Sequence, residues 1–194
     1  MMISFAGLPP EVTQAMCTPM HLILPAAPSQ HPSYPSHHSP PSLTGQGALY
    51  LGSFAAVLEP TLLKEHNIRH IVQVLDGFWT PSSGADGVST YRIDIQDIES
   101  ADLKPHLEDA VESIDSALSK GQNVLVHCHQ GVSRSASVVI AYLIRKRGMS
   151  YQAAAAFVRQ RRACIKPNPG FVRCLEEWER QWRPLAPVRT QSSK

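Results

Sequence analysis

Hydrophobic positions follow two different periods along residues 47–183 of the chain. Short apolar or alternating runs predict β-strands, and longer stretches with hydrophobic residues three and four positions apart predict helices. The predicted strands cover residues 48–51, 71–75, 91–95 and 123–126. The predicted helices cover residues 60–66, about 102–120, 135–147, 151–162 and 171–182. Strands that alternate with helices in this way indicate an α/β domain.

The predicted helix at 135–147 differs from the others because its residues are apolar almost all round. A helix without a polar face is buried on every side, so we expect it at the centre of the domain. Gly148 ends this helix, Ser150 is placed to cap the next one, and the segment Pro167–Gly170 separates the last two helices. Residues 78–88, rich in Gly, Ser and Pro, predict a loop.

Residues 1–46 have a different composition and hold nine of the sixteen prolines, mixed with Ser and His. Such a stretch supports neither a continuous helix nor a strand ladder, and it has little apolar surface to bury. We therefore expect a disordered tail at 1–46, one domain at 47–184 and a flexible tail at 185–194. The histidines of the first tail match no zinc-binding spacing, so no metal site is expected there.

Charge and cysteine content argue against two classes of protein, nucleic-acid-binding domains and disulfide-rich domains. A net charge of +2, with 18% charged residues, provides no dense basic stripe of the kind typical of nucleic-acid-binding domains. Four cysteines without a CxxC pair favour a reducing compartment over a disulfide framework. Neither a membrane-spanning run nor the basic start of a signal peptide is found. We expect a cytoplasmic or nuclear protein without a nucleic-acid or membrane partner, its oligomeric state left open.

A nine-residue segment, His127–Ser135, lies between the strand that ends at Val126 and the buried helix. A loop that closes onto a helix N-terminus points successive backbone N–H groups inward, and the helix dipole adds partial positive charge. Such a loop is a cradle for a phosphate group. Gly131 permits a backbone turn that a Cβ would obstruct, and the planar guanidinium of Arg134 can bind two phosphate oxygens.

Cys128 lies at the floor of the predicted cradle. Its thiolate, favoured by the helix N-terminus, would attack phosphorus and form a cysteinyl-phosphate that water then hydrolyses. Ser135 is placed to hydrogen-bond the sulfur and help it leave, whereas His127 shapes the loop. This chemistry needs neither a metal nor another cofactor. The other loop residues expected to contact the substrate phosphate are His129, Gln130, Gly131, Val132 and Ser133.

The segment Leu125–Leu143, LVHCHQGVSRSASVVIAYL, resembles the signature of the dual-specificity group of the protein tyrosine phosphatase superfamily. Leu49–Ser53 and Ile165–Phe171 resemble motifs at the start and near the end of that domain, so the similarity extends over about residues 47–183. The resemblance implies an α/β fold with a central mixed sheet flanked by helices, cysteine-dependent phosphatase activity and phosphoprotein substrates. It also implies that Asn168 braces the active-site loop.

The family uses an aspartate about thirty residues before the cysteine as its general acid. Asp97 fits this position because it follows a predicted strand and Leu103 lies six positions further on, as the family's leucine does. It would protonate the leaving oxygen and then activate water. Asp94 is the alternative, but strand alternation turns it away from the face that carries Tyr91, so we favour Asp97.

Two features of the sequence bear on the substrate. No long insertion resembling the phosphotyrosine-binding loop of classical tyrosine phosphatases precedes Asp97, which implies a shallower pocket that also reaches phosphoserine and phosphothreonine. The loop also lacks the lysines expected of a phosphoinositide phosphatase. Action on lipid, glycan or RNA 5′-phosphates is the alternative, followed by a phospho-binding module without turnover. Residues Ala55–Pro60 and His127–His129 resemble the Yvh1-like phosphatases, without the zinc domain that usually follows, so another atypical small branch of the group is the alternative.

Four basic residues precede the Pro167 break: Arg159, Arg161, Arg162 and Lys166. Two interpretations stay open, a site for a second substrate phosphate as in related enzymes, or a solvated basic helix end. Cys164 and Cys174 are interpreted as inert apolar residues rather than as disulfide partners for an oxidised Cys128.

Overall fold

A five-stranded sheet lies at the centre of the computed structural model, which describes residues 7–28, 45–77 and 87–182. The strands are β1 (Met20–Leu24), β2 (Leu49–Gly52), β3 (Ile68–Val74), β4 (Ser89–Ile93) and β5 (Asn123–His127). Their spatial order is β1-β2-β5-β3-β4. β1 pairs with β2 in antiparallel orientation, and every other neighbouring pair is parallel. The predicted α/β class with a mixed central sheet is confirmed.

The longer helices of the described residues lie where hydrophobic spacing predicts them. They are α1 (Pro10–Cys17), α2 (Ala55–Leu58), α3 (Pro60–Glu65), α4 (Lys104–Ser119), α5 (Arg134–Arg147), α6 (Tyr151–Arg161) and α7 (Pro169–Trp182). Gly148 ends α5 in a left-handed conformation, with φ of 63°. The Ser150 side chain accepts a hydrogen bond of 3.1 Å from the Ala153 N–H, so the predicted cap of α6 is present.

The two faces of the sheet bury different sets of helices. Val124 and Val126 of β5 belong to the larger hydrophobic cluster, together with α4, α5, α6 and α7, whereas Leu125 belongs to a smaller cluster with α2. This alternation follows from the period of two along a strand. Every residue of α5 from Arg134 to Ile144 is buried, as its uniformly apolar sequence predicts. The helix that follows the Cys128 loop is therefore held in the middle of the domain.

The N-terminal region differs from the expectation of a wholly disordered tail at 1–46. Residues 10–17 form α1 and residues 20–24 form β1, which extends the sheet beyond β2. Pro10 occupies the first turn of α1, where the missing N–H costs nothing, and Ile23 of β1 is fully buried. The expectation was wrong here because the prolines lie at or beyond the ends of these two elements instead of interrupting them. Residues 29–44 of the predicted tail lie outside the described residues.

Two further predictions fall wholly or partly outside the described residues. The predicted loop at 78–88 is described only at its last two positions, and the predicted C-terminal tail at 185–194 is not described. Among the described helices, none combines the length and the apolar composition of a membrane span.

Candidate active site

The segment between β5 and α5 forms a loop at the carboxyl end of the central strand of the sheet. It borders a cleft of about 280 Å³, and the cleft brings together most of the residues that the sequence singles out. The lining residues are Asp97, Cys128, His129, Gln130, Val132, Ser133 and Arg134. Ligands of open α/β sheets bind at this edge, outside the carboxyl ends of parallel strands.

Cys128 lies at the floor of the cleft, with only 2% of its surface exposed. Its sulfur accepts a hydrogen bond from the Gly131 N–H at 3.2 Å and another from the Ser135 hydroxyl at 3.1 Å. Hydrogen bonds donated to sulfur stabilise negative charge on it, and the N-terminus of α5 adds the positive end of a helix dipole. The loop therefore supports a nucleophilic thiolate.

Gly131 is required at its position for two reasons. Its φ of 68° lies in the left-handed region that side chains rarely adopt. A Cβ at this residue would also lie 2.5 Å from the carbonyl oxygen of Gly52, where no atom fits. The loop can close against β2 only with glycine here.

Arg134 is held by two acceptors on one side of its guanidinium. Its Nη1 donates to the carboxylate of Asp76 and, at 3.2 Å, to the carbonyl oxygen of Ile95. Its buried Nε has no hydrogen-bond partner within the described residues and lies 3.7 Å from Oδ2 of Asp97. A buried N–H donor without a partner costs free energy, and a phosphate oxygen bound in the cleft would accept a hydrogen bond from this Nε.

Asp76 is a site residue that the sequence analysis missed. The hydrogen bond from Arg134 is the largest cause that lowers the pKa of this carboxyl group, so Asp76 is ionised and orients the guanidinium. Asp76 lies just past the end of β3, next to β5 in the sheet. Position at the carboxyl end of a buried strand was the signal that could have identified it.

Asp97 is attached both to the loop and to the start of α7. Its Oδ1 accepts hydrogen bonds from the Ser133 hydroxyl at 2.6 Å and from the side-chain amide of Asn168 at 2.9 Å. β4 ends at Ile93, so the strand-alternation argument against Asp94 does not apply in this structure. What distinguishes the two aspartates is that Asp97 lines the cleft with Cys128 and Asp94 does not.

Asn168 joins three parts of the site. Its side chain donates to Asp97, its backbone N–H donates to the Ser133 hydroxyl at 3.1 Å, and its Oδ1 accepts from the Phe171 N–H at 3.0 Å. Asn168 therefore contacts the segment that carries Asp97 as well as the active-site loop, which the resemblance implies that it braces.

The two histidines that flank Cys128 have different environments. His127 is fully buried, and burial lowers its pKa to about 4, so the ring is neutral at neutral pH. Its Nδ1 lies 3.4 Å from the Cys128 carbonyl oxygen, in keeping with a supporting position. His129 is exposed at the rim of the cleft, and its ring stacks on Phe54 with a centroid distance of 6.0 Å.

Residues 49–181 match the family model described as the catalytic domain of dual specificity phosphatases. The chain belongs to the dual specificity phosphatase family. It is 40% identical over 141 residues to dual specificity protein phosphatase 1 of Arabidopsis thaliana, a match that covers 72% of this chain and 69% of that protein. The predicted family and a cysteine-based phosphatase activity are confirmed.

Solved structures of the family have the same fold. The human tyrosine phosphatase-like serine/threonine/tyrosine-interacting protein matches with a TM-score of 0.65 and 35% identity, over 69% of this chain and 92% of that one. The Yvh1 phosphatase domain from Chaetomium thermophilum matches with a TM-score of 0.63 and 34% identity, over 71% of this chain and 94% of that one. Similarity to Yvh1 is therefore present in the fold as well as in the sequence.

The basic residues near the end of α6 do not form one group in this phosphatase. Arg162 is fully buried and donates from Nε to the Gly131 carbonyl oxygen at 2.9 Å. Neither open interpretation, a second phosphate site or a solvated helix end, holds for this residue. Arg159 and Lys166 are exposed, and Arg161 lies over the ring of Phe157, so the choice between the interpretations stays open for these three.

The four cysteines of the phosphatase are free thiols. Burial raises the pKa of Cys164, and it raises that of Cys174 to about 11, so both are protonated at neutral pH. Protonated thiols are poor nucleophiles, which agrees with the interpretation of these two residues as inert. The described residues contain no group of three or more side chains that could hold a metal ion.

Proposed function

We propose that this dual specificity phosphatase hydrolyses phosphotyrosine and phosphoserine or phosphothreonine in protein substrates. The observation that supports it best is one cleft in which a doubly hydrogen-bonded Cys128 sulfur, the Arg134 guanidinium and the Asp97 carboxyl group converge. A nucleophile, an oxyanion clamp and a general acid are the three groups that phosphate-ester cleavage requires.

In the first step the Cys128 thiolate attacks phosphorus. The S–P bond forms while the bond from phosphorus to the ester oxygen breaks, and Asp97 donates a proton to the leaving alcohol or phenol. Arg134 and the backbone N–H groups of the loop hold the equatorial oxygens, whose negative charge they stabilise. Asp76 and the Ile95 carbonyl keep Nη1 occupied, so the Nε side of the guanidinium faces the phosphate.

In the second step water attacks the phosphorus of the cysteinyl-phosphate. Asp97, now ionised, accepts a proton from that water, the S–P bond breaks and inorganic phosphate is released. The Ser135 hydroxyl, 3.1 Å from the sulfur, stabilises the thiolate as it leaves. Each step therefore uses groups that line the cleft or contact the Cys128 sulfur.

The shape of the cleft supports a protein substrate with either a short or a long phosphorylated side chain. The cleft is small, and its rim carries the exposed residues His129 and Gln130 instead of lysines. The shallower pocket that the family resemblance implies would allow phosphoserine to reach Cys128, whereas a polyanionic lipid headgroup or an RNA 5′-end would find little positive charge at the rim. We propose phosphoproteins as the partners, in preference to nucleic acids or membranes.

The requirement for a reduced Cys128 supports a location in the cytoplasm or nucleus. Catalysis requires a thiolate, which an oxidising compartment would convert to a disulfide or an oxidised acid. A cellular fractionation experiment with the tagged chain would test this part of the proposal.

Turnover of p-nitrophenyl phosphate and of an alkyl phosphate tests the activity and the roles of the residues. We expect vanadate-sensitive turnover in the wild type, no turnover in Cys128→Ser, and a loss of about 10²-fold or more for the alkyl phosphate in Asp97→Asn. The smaller effect expected with p-nitrophenyl phosphate reflects its better leaving group. Asp94→Asn is the matched control and keeps wild-type rates.

Substrate class is tested with phosphotyrosine and phosphothreonine peptides beside phosphoinositides and RNA 5′-triphosphate. A kcat/KM that is higher for both peptides than for the phosphoinositides and the RNA supports the proposal. A higher kcat/KM for lipid or RNA would contradict it. Wild-type protein without vanadate-sensitive turnover would refute the phosphatase function itself.

A further inference from the structure

Arg162 is a fully buried arginine whose guanidinium contacts two distant parts of the chain. On one side, Nε donates to the Gly131 carbonyl oxygen at 2.9 Å and Nη2 donates to that of Gln130 at 3.0 Å. On the other side, Nη1 donates to the Thr18 carbonyl oxygen at 3.0 Å and to Nδ1 of His21 at 2.8 Å. All four acceptors are neutral groups, and the described residues provide no carboxylate in an ion pair with Arg162.

The two loop carbonyls that Arg162 binds fix the direction of two peptide N–H groups. In a trans peptide the C=O and the following N–H point in opposite directions, and the described residues contain no cis peptide. When the Gln130 carbonyl points to Arg162, the Gly131 N–H points away from it, and that N–H donates to the Cys128 sulfur. In the same way, the bond to the Gly131 carbonyl turns the N–H of Val132, a cleft residue, away from Arg162.

The close approach of Arg162 to the loop depends on Gly131. A Cβ at residue 131 would lie 2.8 Å from Nη2 of Arg162. The residue that allows the left-handed turn therefore also provides the space through which the guanidinium reaches both carbonyls.

The N-terminal contacts come from outside the part of the chain that matches the family model, which begins at residue 49. Thr18 directly follows α1, and His21 lies in β1, which pairs with β2. The adjacent Pro19 carbonyl accepts a hydrogen bond from the Ser53 N–H at 2.8 Å, so the segment has a defined position behind the loop. Thr18 and His21 can therefore hold the guanidinium in place.

We propose that Arg162 is a positioning residue for phosphate hydrolysis, held in place by Thr18 and His21, and that residues 10–24 thereby form part of the catalytic unit. Arg162 contacts neither the substrate nor the reacting atoms, and it acts by orienting the peptide groups that bind the sulfur and the phosphate. The inference rests on the proposed phosphatase function, because it concerns the loop that performs it.

Variants of His21 and Arg162 in the full chain test the proposal, with kcat, KM and the inhibition constant of vanadate as readouts. His21→Leu removes an acceptor of Arg162, and we expect kcat/KM for p-nitrophenyl phosphate and vanadate affinity to fall together by about tenfold. His21→Asn places an oxygen near the position of Nδ1 and should restore both to within about threefold of wild type. In Arg162→Met we expect kcat/KM and vanadate affinity to fall by about 10²-fold, because two loop peptides lose their orientation.

Gln160→Met, at an exposed position of α6, is the matched control and keeps wild-type kinetics. Circular dichroism and urea unfolding of each variant measure folding separately. If folded His21→Leu and Arg162→Met have wild-type kcat/KM and vanadate affinity, Arg162 is only structural and the inference is overturned. A wild type without vanadate-sensitive turnover would instead refute the proposed function, and this inference with it.

Discussion

His127, the last residue of β5, shows how one buried side chain links the site to pH. Burial lowers the pKa of its imidazole from 6.5 to about 4, so the folded protein keeps the ring neutral at pH values where the unfolded chain protonates it. The unfolded state therefore binds more protons between these two pKa values. The contribution of His127 to the free energy of unfolding is therefore fully present above pH 6.5 and is lost as the pH falls towards 4.

We expect this residue to remove roughly 2 kcal/mol from the free energy of unfolding between pH 7 and pH 5. Urea unfolding of the wild type and of His127→Gln at both pH values measures the contribution, because other groups titrate alike in the two proteins. Gln160→Met, at an exposed position of α6, is the control and retains the wild-type pH dependence. Equal pH dependence in wild type and His127→Gln would contradict the prediction.

At the scale of single residues, the sequence identified the site residues that lie close together along the chain. Cys128, Gly131, Arg134 and Ser135 lie within eight positions, and their pattern predicts the loop that the structure shows. Asp76 and the role of Arg162 were missed because their partners are distant: Asp76 binds Arg134 across 58 positions, and Arg162 binds Gly131 across 31. No local periodicity encodes such a pair, since it depends on which strand ends and helix ends meet.

Between elements, the segment that carries Asp97 packs against the start of α7. A Cβ on Gly170 would lie 2.0 Å from the carbonyl oxygen of Glu99, two residues after the proposed acid. Gly170→Ala should therefore displace this segment and move Asp97 away from the leaving group. We expect at least a tenfold loss of turnover for an alkyl phosphate and a smaller loss for p-nitrophenyl phosphate.

Steady-state kinetics with both substrates tests the Gly170 prediction. Pro169→Ala, at the adjacent exposed position, is the control and should change neither rate by more than about twofold. Equal losses for the two substrates in Gly170→Ala would show that the substitution perturbs the nucleophile loop instead of the acid segment.

Element prediction succeeded where hydrophobic spacing was regular. The predicted helices at 135–147 and 151–162 agree with α5 and α6 to within one residue at each end. β4 lies two residues earlier than predicted, because the apolar alternation continues past the end of the strand to Ile95, which is buried in the segment that leads to Asp97. The short helix α2 was missed, since four residues are too few to show a helical period.

For the molecule as a whole, the N-terminal segment contributes to the same core as the family-matched region. Ile23 of β1 is fully buried in the larger hydrophobic cluster, whereas its neighbour Leu22 is 44% exposed. We expect Ile23→Ala to lower the free energy of unfolding by about 2–5 kcal/mol, because it leaves a cavity in a packed core. Leu22→Ala should change it by less than about 1 kcal/mol.

Urea unfolding followed by circular dichroism and by tryptophan fluorescence checks this prediction. Coincident transitions with a shifted midpoint in Ile23→Ala show that β1 unfolds with the rest of the domain. An unchanged midpoint, or a separate early transition, would show that β1 is an appendage that the catalytic domain does not need.

The hydrogen bond between Arg162 and Thr18 joins residues 144 positions apart, which has a consequence for how the chain is made. A ribosome releases Cys128 well before it releases Arg162 and Asn168, and a domain reaches its native packing only once its partners have emerged. A nascent chain therefore exposes this cysteine without the groups that orient its loop. We therefore expect chains that terminate before the turn between α6 and α7 to lack hydrolytic activity.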